Sequence, residues 1–498
     1  MRRTVPIFYS ALMLTGVNLL LRLVSTSFQV YISGRIGAAG VGLLQLVLSV
    51  GMLAMTAGMA GIRTSTMYLT AEEIGKKRPG NVKWVLSGCY VYSIICSGVV
   101  AVALYAFAPA IAEYWICDIR TTAAIRLYSG FLPVTCLCGV MTGYFTAANR
   151  IGTLAAVEVA EQLLSMTVTM GILRLYAGSD PAKACQSIIL GSGISACMTL
   201  ICLIILRLKE RCPNSDRIPI RSRLLQAAVP LALADNLKIG INTTENLMVP
   251  QRLSLFPGVQ NPLAAFGMVC GMVFPVLMFP AAILFGLAEL LIPELARCAA
   301  AGSQKRIAYL VRRGLRVALI YGCIFCGLMY LLSSELCMAL YQNPDAGTYL
   351  RRFSLLIPML YCDAITDAMT KGLGQQKTCV RYNILTSAMD VAFLYILLPR
   401  YGMDGYYISF FVTHLINFIL SLRRLLKISG KVLSPLVPVA SVCAAGLGIF
   451  AASFAGDPIA KCFAYLAVLG CLLFLLGIVS KEDILWLKSL VVKNEKKK

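Results

Sequence analysis

Arg22 stands inside an apolar run, among Leu19, Leu20, Leu21 and Leu23, and Ser25 and Gln29 follow it at three and seven residues. On a helix those offsets place a guanidinium, a hydroxyl and an amide on one face. A charge inside a membrane-length apolar segment costs roughly 2.5–3.5 kcal/mol on insertion scales, so it normally faces a cavity or a partner. A guanidinium stays charged and offers forked donors, which suits a pyrophosphate. Two readings stand: Arg22 lines an anion-binding cavity, or it pairs with a buried carboxylate that holds helices together. Asp235, Lys238, Asn242 and Glu245 form a second stripe, at steps of three, four and three, with Asn246 beside it. Those steps share a helix face. Lys238 either meets an anion or neutralises Asp235, and Glu245 is a candidate partner for Arg22. Arg63, just after Gly61, either meets an anionic headgroup or snorkels to the membrane interface.

Carboxylates offer different chemistry. Glu158 and Glu161, with Gln162 beside them, lie one turn apart. A proton or Na+ could bind between them, or they pair with Arg126 or another basic group. Asp363 and Asp367 precede Lys371, and the i, i+4 spacing of Asp367 and Lys371 reads as an ordinary ion pair. Arg351 and Arg352 either receive a headgroup or snorkel outward. His414 is the only histidine; a lone imidazole in an apolar run is more often a packing residue than a proton relay. The sequence has no phosphate-binding P-loop, no nucleophile elbow and no metal-spaced His/Cys cluster. The expectation is a protein that is not an enzyme and holds no metal or cofactor. It would draw at most on a coupling ion (Na+ or H+) or the membrane potential.

These residues need elements to position them. Of the 498 residues 58% are hydrophobic and 14% charged, which is outside the range of soluble domains. With roughly 20 residues per span, fourteen apolar runs are read, near 6–32, 41–67, 84–112, 123–147, 152–176, 184–206, 224–250, 262–296, 314–332, 347–370, 380–399, 404–421, 434–454 and 459–479. The eighth is long and is expected to bend at Pro275 and Pro280. The first run is too long for the h-region of a signal peptide. Of the 45 Lys and Arg, 32 fall in alternate loops on one side and six in the loops opposite. By the positive-inside rule both termini are cytoplasmic, in a multi-pass membrane protein. The net charge of +22 is therefore topological and does not mark a nucleic-acid partner. Most of the 19 cysteines lie singly in apolar runs and read as packing residues of a reduced protein.

The runs are duplicated. Ile125-Arg126-Leu127-Tyr128-Ser129, ending at Pro133, returns as Leu350-Arg351-Arg352-Phe353-Ser354, ending at Pro358, and Thr142 and Thr146 return as Thr366 and Thr370. Offsets of 225 and 224 positions exceed any solenoid period. They mark a duplicated membrane half, a build common in secondary transporters, whose site lies between the repeats near the bilayer midplane. The fold class is an all-α polytopic membrane protein with about 14 transmembrane helices. Residues 1–212 and 213–428 form two parallel six-helix repeats, residues 429–480 two additional spans, and residues 481–498 a basic cytoplasmic tail. The seventh span, as counterpart of the first, should line the same cavity. Ser421-Leu422-Arg423-Arg424-Leu425-Leu426-Lys427 and Asp483-Ile484-Leu485-Trp486-Leu487-Lys488 read as interfacial anchors.

Several stretches resemble a known group. They are Gly34-Arg35-Ile36-Gly37 through Gln45, Ala60-Gly61-Ile62, Gly143-Tyr144-Phe145, Val249-Pro250-Gln251-Arg252, Phe279-Pro280 and Lys371-Gly372-Leu373-Gly374-Gln375. Together with two repeats of six spans and two extra helices, they resemble the MOP exporter superfamily of MATE transporters, polysaccharide flippases and lipid II flippases. Within it they resemble the stage V sporulation protein B-like polysaccharide-biosynthesis proteins. Arg22 matches a first-helix arginine of the lipid II flippases, whose further basic residue on that helix has no counterpart at Phe28 or Gln29. The resemblance implies a V-shaped MATE/MOP fold around a cavity, in a bacterial cytoplasmic membrane. It also implies translocation of an undecaprenyl-linked saccharide or peptidoglycan precursor between leaflets, among membrane lipids and beside cell-wall synthesis enzymes. A drug/cation antiporter of the multidrug type and a scramblase or assembly scaffold remain the alternatives.

Overall fold

The computed structural model describes residues 7–76, 78–177, 180–209, 220–430 and 436–478. The proposed tail, the first six residues and the boundary expected at residue 212 lie outside them. The described residues form helices and contain no strand. In chain order the helices are α1 Ile7–Met59, α2 Ile62–Gly75, α3 Val82–Ala110, α4 Thr122–Ala147, α5 Ile151–Ile172, α6 Pro181–Leu208 and α7 Arg221–Leu253. They continue as α8 Pro262–Met268, α9 Phe274–Met278, α10 Ala281–Ala300, α11 Gln304–Leu331, α12 Ser333–Tyr341, α13 Pro344–Ser354 and α14 Ile357–Gly372. The last three are α15 Gln376–Ser429, α16 Leu436–Ala452 and α17 Pro458–Leu475. Among the described residues nine helices are long and apolar enough to cross a membrane, or ten counting one bent pair. Two of those nine carry two expected runs each. α1 is broken at Gly37 (φ 67) and α15 at Gly402 (φ 57), backbone that glycine adopts without steric cost. The tenth expected run is divided between α13 and α14.

Helix starts follow a local rule. Asp180-Pro181, Asn261-Pro262 and Asn343-Pro344 begin α6, α8 and α13, and in each the Asp or Asn side chain accepts a backbone N–H of the first turn. The carboxyl or amide satisfies an orphan donor while proline fills a position that has no N–H to lose.

The duplication extends to individual bonds. Ser129 Oγ donates to Arg126 O at 2.7 Å, and Ser354 Oγ to Arg351 O at 2.8 Å. Thr146 and Thr370 donate to Thr142 and Thr366, each at 2.7 Å. Arg126 stacks over Tyr105 at 5.1 Å and Arg351 over Tyr330 at 4.5 Å, and both members of the pair are displaced by the same 225 positions. Cys117 and Gln342, also 225 apart, share a left-handed backbone, φ 61 and 52. The next residues, Asp118 and Asn343, each accept the N–H two residues on. Arg120 also binds the Asp118 carboxylate through Nε and Nη2 at 3.0 and 2.7 Å and holds its pKa below the usual range. The copies differ at the proline: Pro133 lies within unbroken α4, whereas Pro358 opens α14 after a break.

Expected bending of the eighth run occurs at Pro280, where the chain turns by 61°. Pro275 lies within α9 and does not break it. Backbone carbonyls freed in an apolar medium need donors. Tyr361 Oη donates to Leu277 O at 2.9 Å and Tyr321 Oη to Pro280 O at 2.8 Å.

The chain groups into two compact units, one of Met1–Met272 with Ser387–Tyr406, the other of Val273–Thr386 with Tyr407–Lys498. In the first, Ile62, Leu69, Val85, Leu86, Val140 and Phe145 belong to one buried cluster that joins α2, α3 and α4. In the second, Tyr465 of α17 donates to Cys323 O of α11 at 2.5 Å. Gly448 faces the same ring, where a Cβ would lie 3.1 Å from it.

Candidate functional site

The first unit holds the Arg22 face, the α7 stripe, Arg63 and the Glu158–Glu161 pair, while Arg351 and Arg352 belong to the second. Arg22 is half-buried in α1, and Ser25 is exposed one turn on. Gln29 donates through Nε2 to Gly271 O at 3.2 Å. Gly271 belongs to the π-helical turn Val269–Val273, and a Cβ there would overlap Val41. The close approach of the two segments requires glycine, and Gln29 binds a carbonyl of that turn.

On α7, Asp235 and Lys238 are exposed, while Asn242, Glu245 and Asn246 are half-buried. The flank of this helix packs on the second expected span through Thr243 Oγ1, which donates to Ser49 O at 3.2 Å. Asn246 Nδ2 adds a bond to Ser49 Oγ at 3.0 Å. Glu245 is hydrogen-bonded with the carboxyl of Asp390 on α15, and Asp390 is only 7% exposed. Tyr406 and Cys270 complete this group, their Oη and Sγ 3.9 Å apart. Two carboxyl groups in contact can hold a proton or a cation between them. Sequence reasoning misses Asp390, although the signal is present: an acid inside an apolar run meets the same criterion as Arg22.

Arg63, exposed near the start of α2, is the basic neighbour of Glu158 on α5. Arg126 is stacked on Tyr105, so the counter-charge of Glu158 comes from Arg63. Glu161 is hydrogen-bonded with Thr199 of α6 and lies within electrostatic reach of Glu158. Its backbone carbonyl accepts Ser195 Oγ at 2.8 Å. Arg63, Glu158, Glu161 and Thr199 therefore form a second polar group, a chain in which Arg63 neighbours Glu158, Glu158 neighbours Glu161, and Glu161 is bonded with Thr199.

A third group is invisible to sequence reasoning, which counts Arg223 and Lys76 among the loop charges and passes over their partners. Arg223, in the first turn of α7, binds Glu72 at 2.7 Å and Glu73 at 2.9 Å, and Lys76 binds Glu72 at 2.6 Å. Asn81 donates to Glu73 at 2.8 Å. The acidic doublet ties the end of α2 to the start of α7.

In the second unit Asp367 pairs with Lys371 at 2.6 Å, as the spacing suggests. Asp363 accepts both its bonds from Asn417 Nδ2, at 3.2 and 3.1 Å. His414 packs against Phe410 with ring centroids 4.2 Å apart.

With this geometry in place, three comparisons bear on identity. The family model described as MatE matches residues 15–175 and 258–396. Stage V sporulation protein B of Bacillus subtilis (strain 168) is 20% identical over 409 residues, which cover 78% of this chain and 77% of that protein. Among solved structures, the lipid II flippase MurJ in an inward closed conformation superposes with a TM-score of 0.72 at 12% identity, over 92% of this chain and 98% of that one. An inward-facing multidrug resistance MATE family transporter of the MOP superfamily gives a TM-score of 0.65 at 15% identity, over 84% of this chain and 99% of that one. Both likenesses are in fold.

Proposed function

This chain belongs to the MatE family, and from that premise we propose a flippase that moves a lipid-linked oligosaccharide or peptidoglycan precursor across the membrane by alternating access. Direction is from inner to outer leaflet, with both termini cytoplasmic. The observation that carries the reading is Arg22: a half-buried guanidinium in the first span, where an anionic pyrophosphate would find forked donors. Ser25 and Gln29 extend that face, Arg63 and Lys238 supply further positive charge, and Asp235, Asn242 and Glu245 give the sugar polar contacts. Glu158 and Glu161 hold the coupling proton or Na+, so that uptake of the ion at the Arg63 group accompanies turnover. The protein performs no bond chemistry on its substrate.

The likeness in fold to the lipid II flippase MurJ supports a lipid-linked substrate, and the 20% sequence identity to a stage V sporulation protein accords with it. A drug/cation antiporter is the second reading, favoured by the Glu245–Asp390 pair, since paired carboxyls suit a cationic substrate. Purified protein in proteoliposomes separates them. The flippase reading predicts translocation of a polyprenyl pyrophosphate-linked saccharide and no gradient-driven uptake of a cationic dye. Dye uptake without headgroup translocation would reverse the assignment.

A further inference from the structure

A groove of about 680 Å3 opens on the first unit between α3, α4 and α6. Its walls change character along their length. Val91, Ile94, Leu200 and Ile204 make an apolar trough, with Val91, Ile94 and Ile204 exposed by 56%, 53% and 38%. Lys83 and Arg207 close one end, with Ser87 beside them. Lys83 is in the first turn of α3 and Arg207 in the last turn of α6, so the two cations lie at the same end of the bundle. At 1.5 Å per helical residue, Val91 and Ile94 lie roughly 12–16 Å deeper. The cations therefore sit at interfacial depth and the trough at acyl-chain depth.

Each cation has an aromatic neighbour. Arg207 lies over the Tyr144 ring at 4.7 Å and Lys83 beside the Trp84 ring at 5.9 Å. Tyr144 is buried in the cluster that joins α2, α3 and α4, so the charged end of the groove stands on packed core. A second groove, of about 690 Å3 along α7, is lined by groups such as Asn236, Thr243 and Gln251 and carries no charged side chain. Of these two grooves, the first alone selects an occupant by charge.

We propose that the groove between α3, α4 and α6 binds an anionic phospholipid, with its phosphate between Lys83 and Arg207 and one acyl chain along the trough. On the topology proposed above this lipid belongs to the cytoplasmic leaflet, where basic pockets between spans meet anionic headgroups. A zwitterionic lipid fits less well, because its own ammonium group would stand beside two cations. The site lies outside the polar groups assigned to transport, and its occupant is a bound lipid of the bilayer.

Trp84 is the reporter. The chain has three tryptophans, so Trp115→Phe with Trp486→Phe leaves the indole beside Lys83 as the only one. Reconstituted in brominated phosphatidylglycerol and brominated phosphatidylcholine mixtures, this parent should show quenching that favours phosphatidylglycerol by about thirtyfold, the scale expected for two cations at a membrane surface. Lys83→Glu should abolish the preference, Lys83→Arg should keep it, and Arg207→Gln should lower it severalfold. Lys83 is exposed, so Lys83→Glu decides the matter if Arg207→Gln fails to fold. Equal quenching by the two lipids in the parent would overturn the proposal. So would a preference that Lys83→Glu leaves intact, which would reflect general attraction to a basic protein.

Discussion

At the residue scale, Gly61 shows how tightly the second span meets α7. Its backbone is left-handed, φ 71, and a Cβ there would lie 2.6 Å from Ala228 O. Gly61→Ala should therefore cost at least the roughly 1–2 kcal/mol of a left-handed alanine, read as a lower thermal midpoint in detergent; an unchanged midpoint would mean that the approach is looser. Residues that are wrong for their surroundings are legible in the sequence: Arg22, Glu158, Glu161 and Glu245 are charges in apolar runs. Their partners are not, because helical spacing relates residues on one helix and says nothing across helices. Asp390 lies 145 positions from Glu245, and Arg63 lies 95 from Glu158. Spacing makes Gln29 a cavity residue; in the fold its amide binds the Gly271 carbonyl, a contact that only the folded chain brings together.

At the scale of elements, the two repeats use the same device to start their fourth spans. Asp118 and Asn343 each accept a backbone N–H two residues on, after a left-handed residue. Losing such a cap costs about 1 kcal/mol. Asp118→Ala and Asn343→Ala should lower stability by similar amounts, checked by thermal unfolding of each variant. A loss confined to one copy would show that the shared geometry does not carry equal weight. The sequence reveals this duplication where side chains match, at Arg126 and Arg351 or Ser129 and Ser354. It hides the duplication where only geometry is kept, since Cys117 and Gln342 share a φ and no chemistry. The bend at Pro280 is legible for a simple reason: proline lacks an N–H and clashes with the preceding turn. That Tyr321 and Tyr361 supply donors to the carbonyls beside the break cannot be read from spacing.

At the scale of the whole molecule, composition by itself places the chain in a membrane, because 58% hydrophobic residues have no soluble core to fill. Charge asymmetry between loops adds a direction. In a cysteine-free background, Gln260→Cys, between α7 and α8, should react with an impermeant maleimide added to intact cells. Ser303→Cys, between α10 and α11, should react only after permeabilisation. The reverse pattern would invert the proposed topology and with it the leaflet from which substrate is taken. The central claim is an arginine-dependent site for a lipid-linked anion. It is tested most directly by headgroup translocation of a lipid-linked peptidoglycan precursor in proteoliposomes, comparing wild type with Arg22→Ala at equal reconstituted amounts. The account predicts that the wild type transports, and that Arg22→Ala falls about tenfold to a hundredfold, the equivalent of one lost charged hydrogen-bond set. An Arg22→Ala protein that reconstitutes normally and transports at the wild-type rate would contradict it.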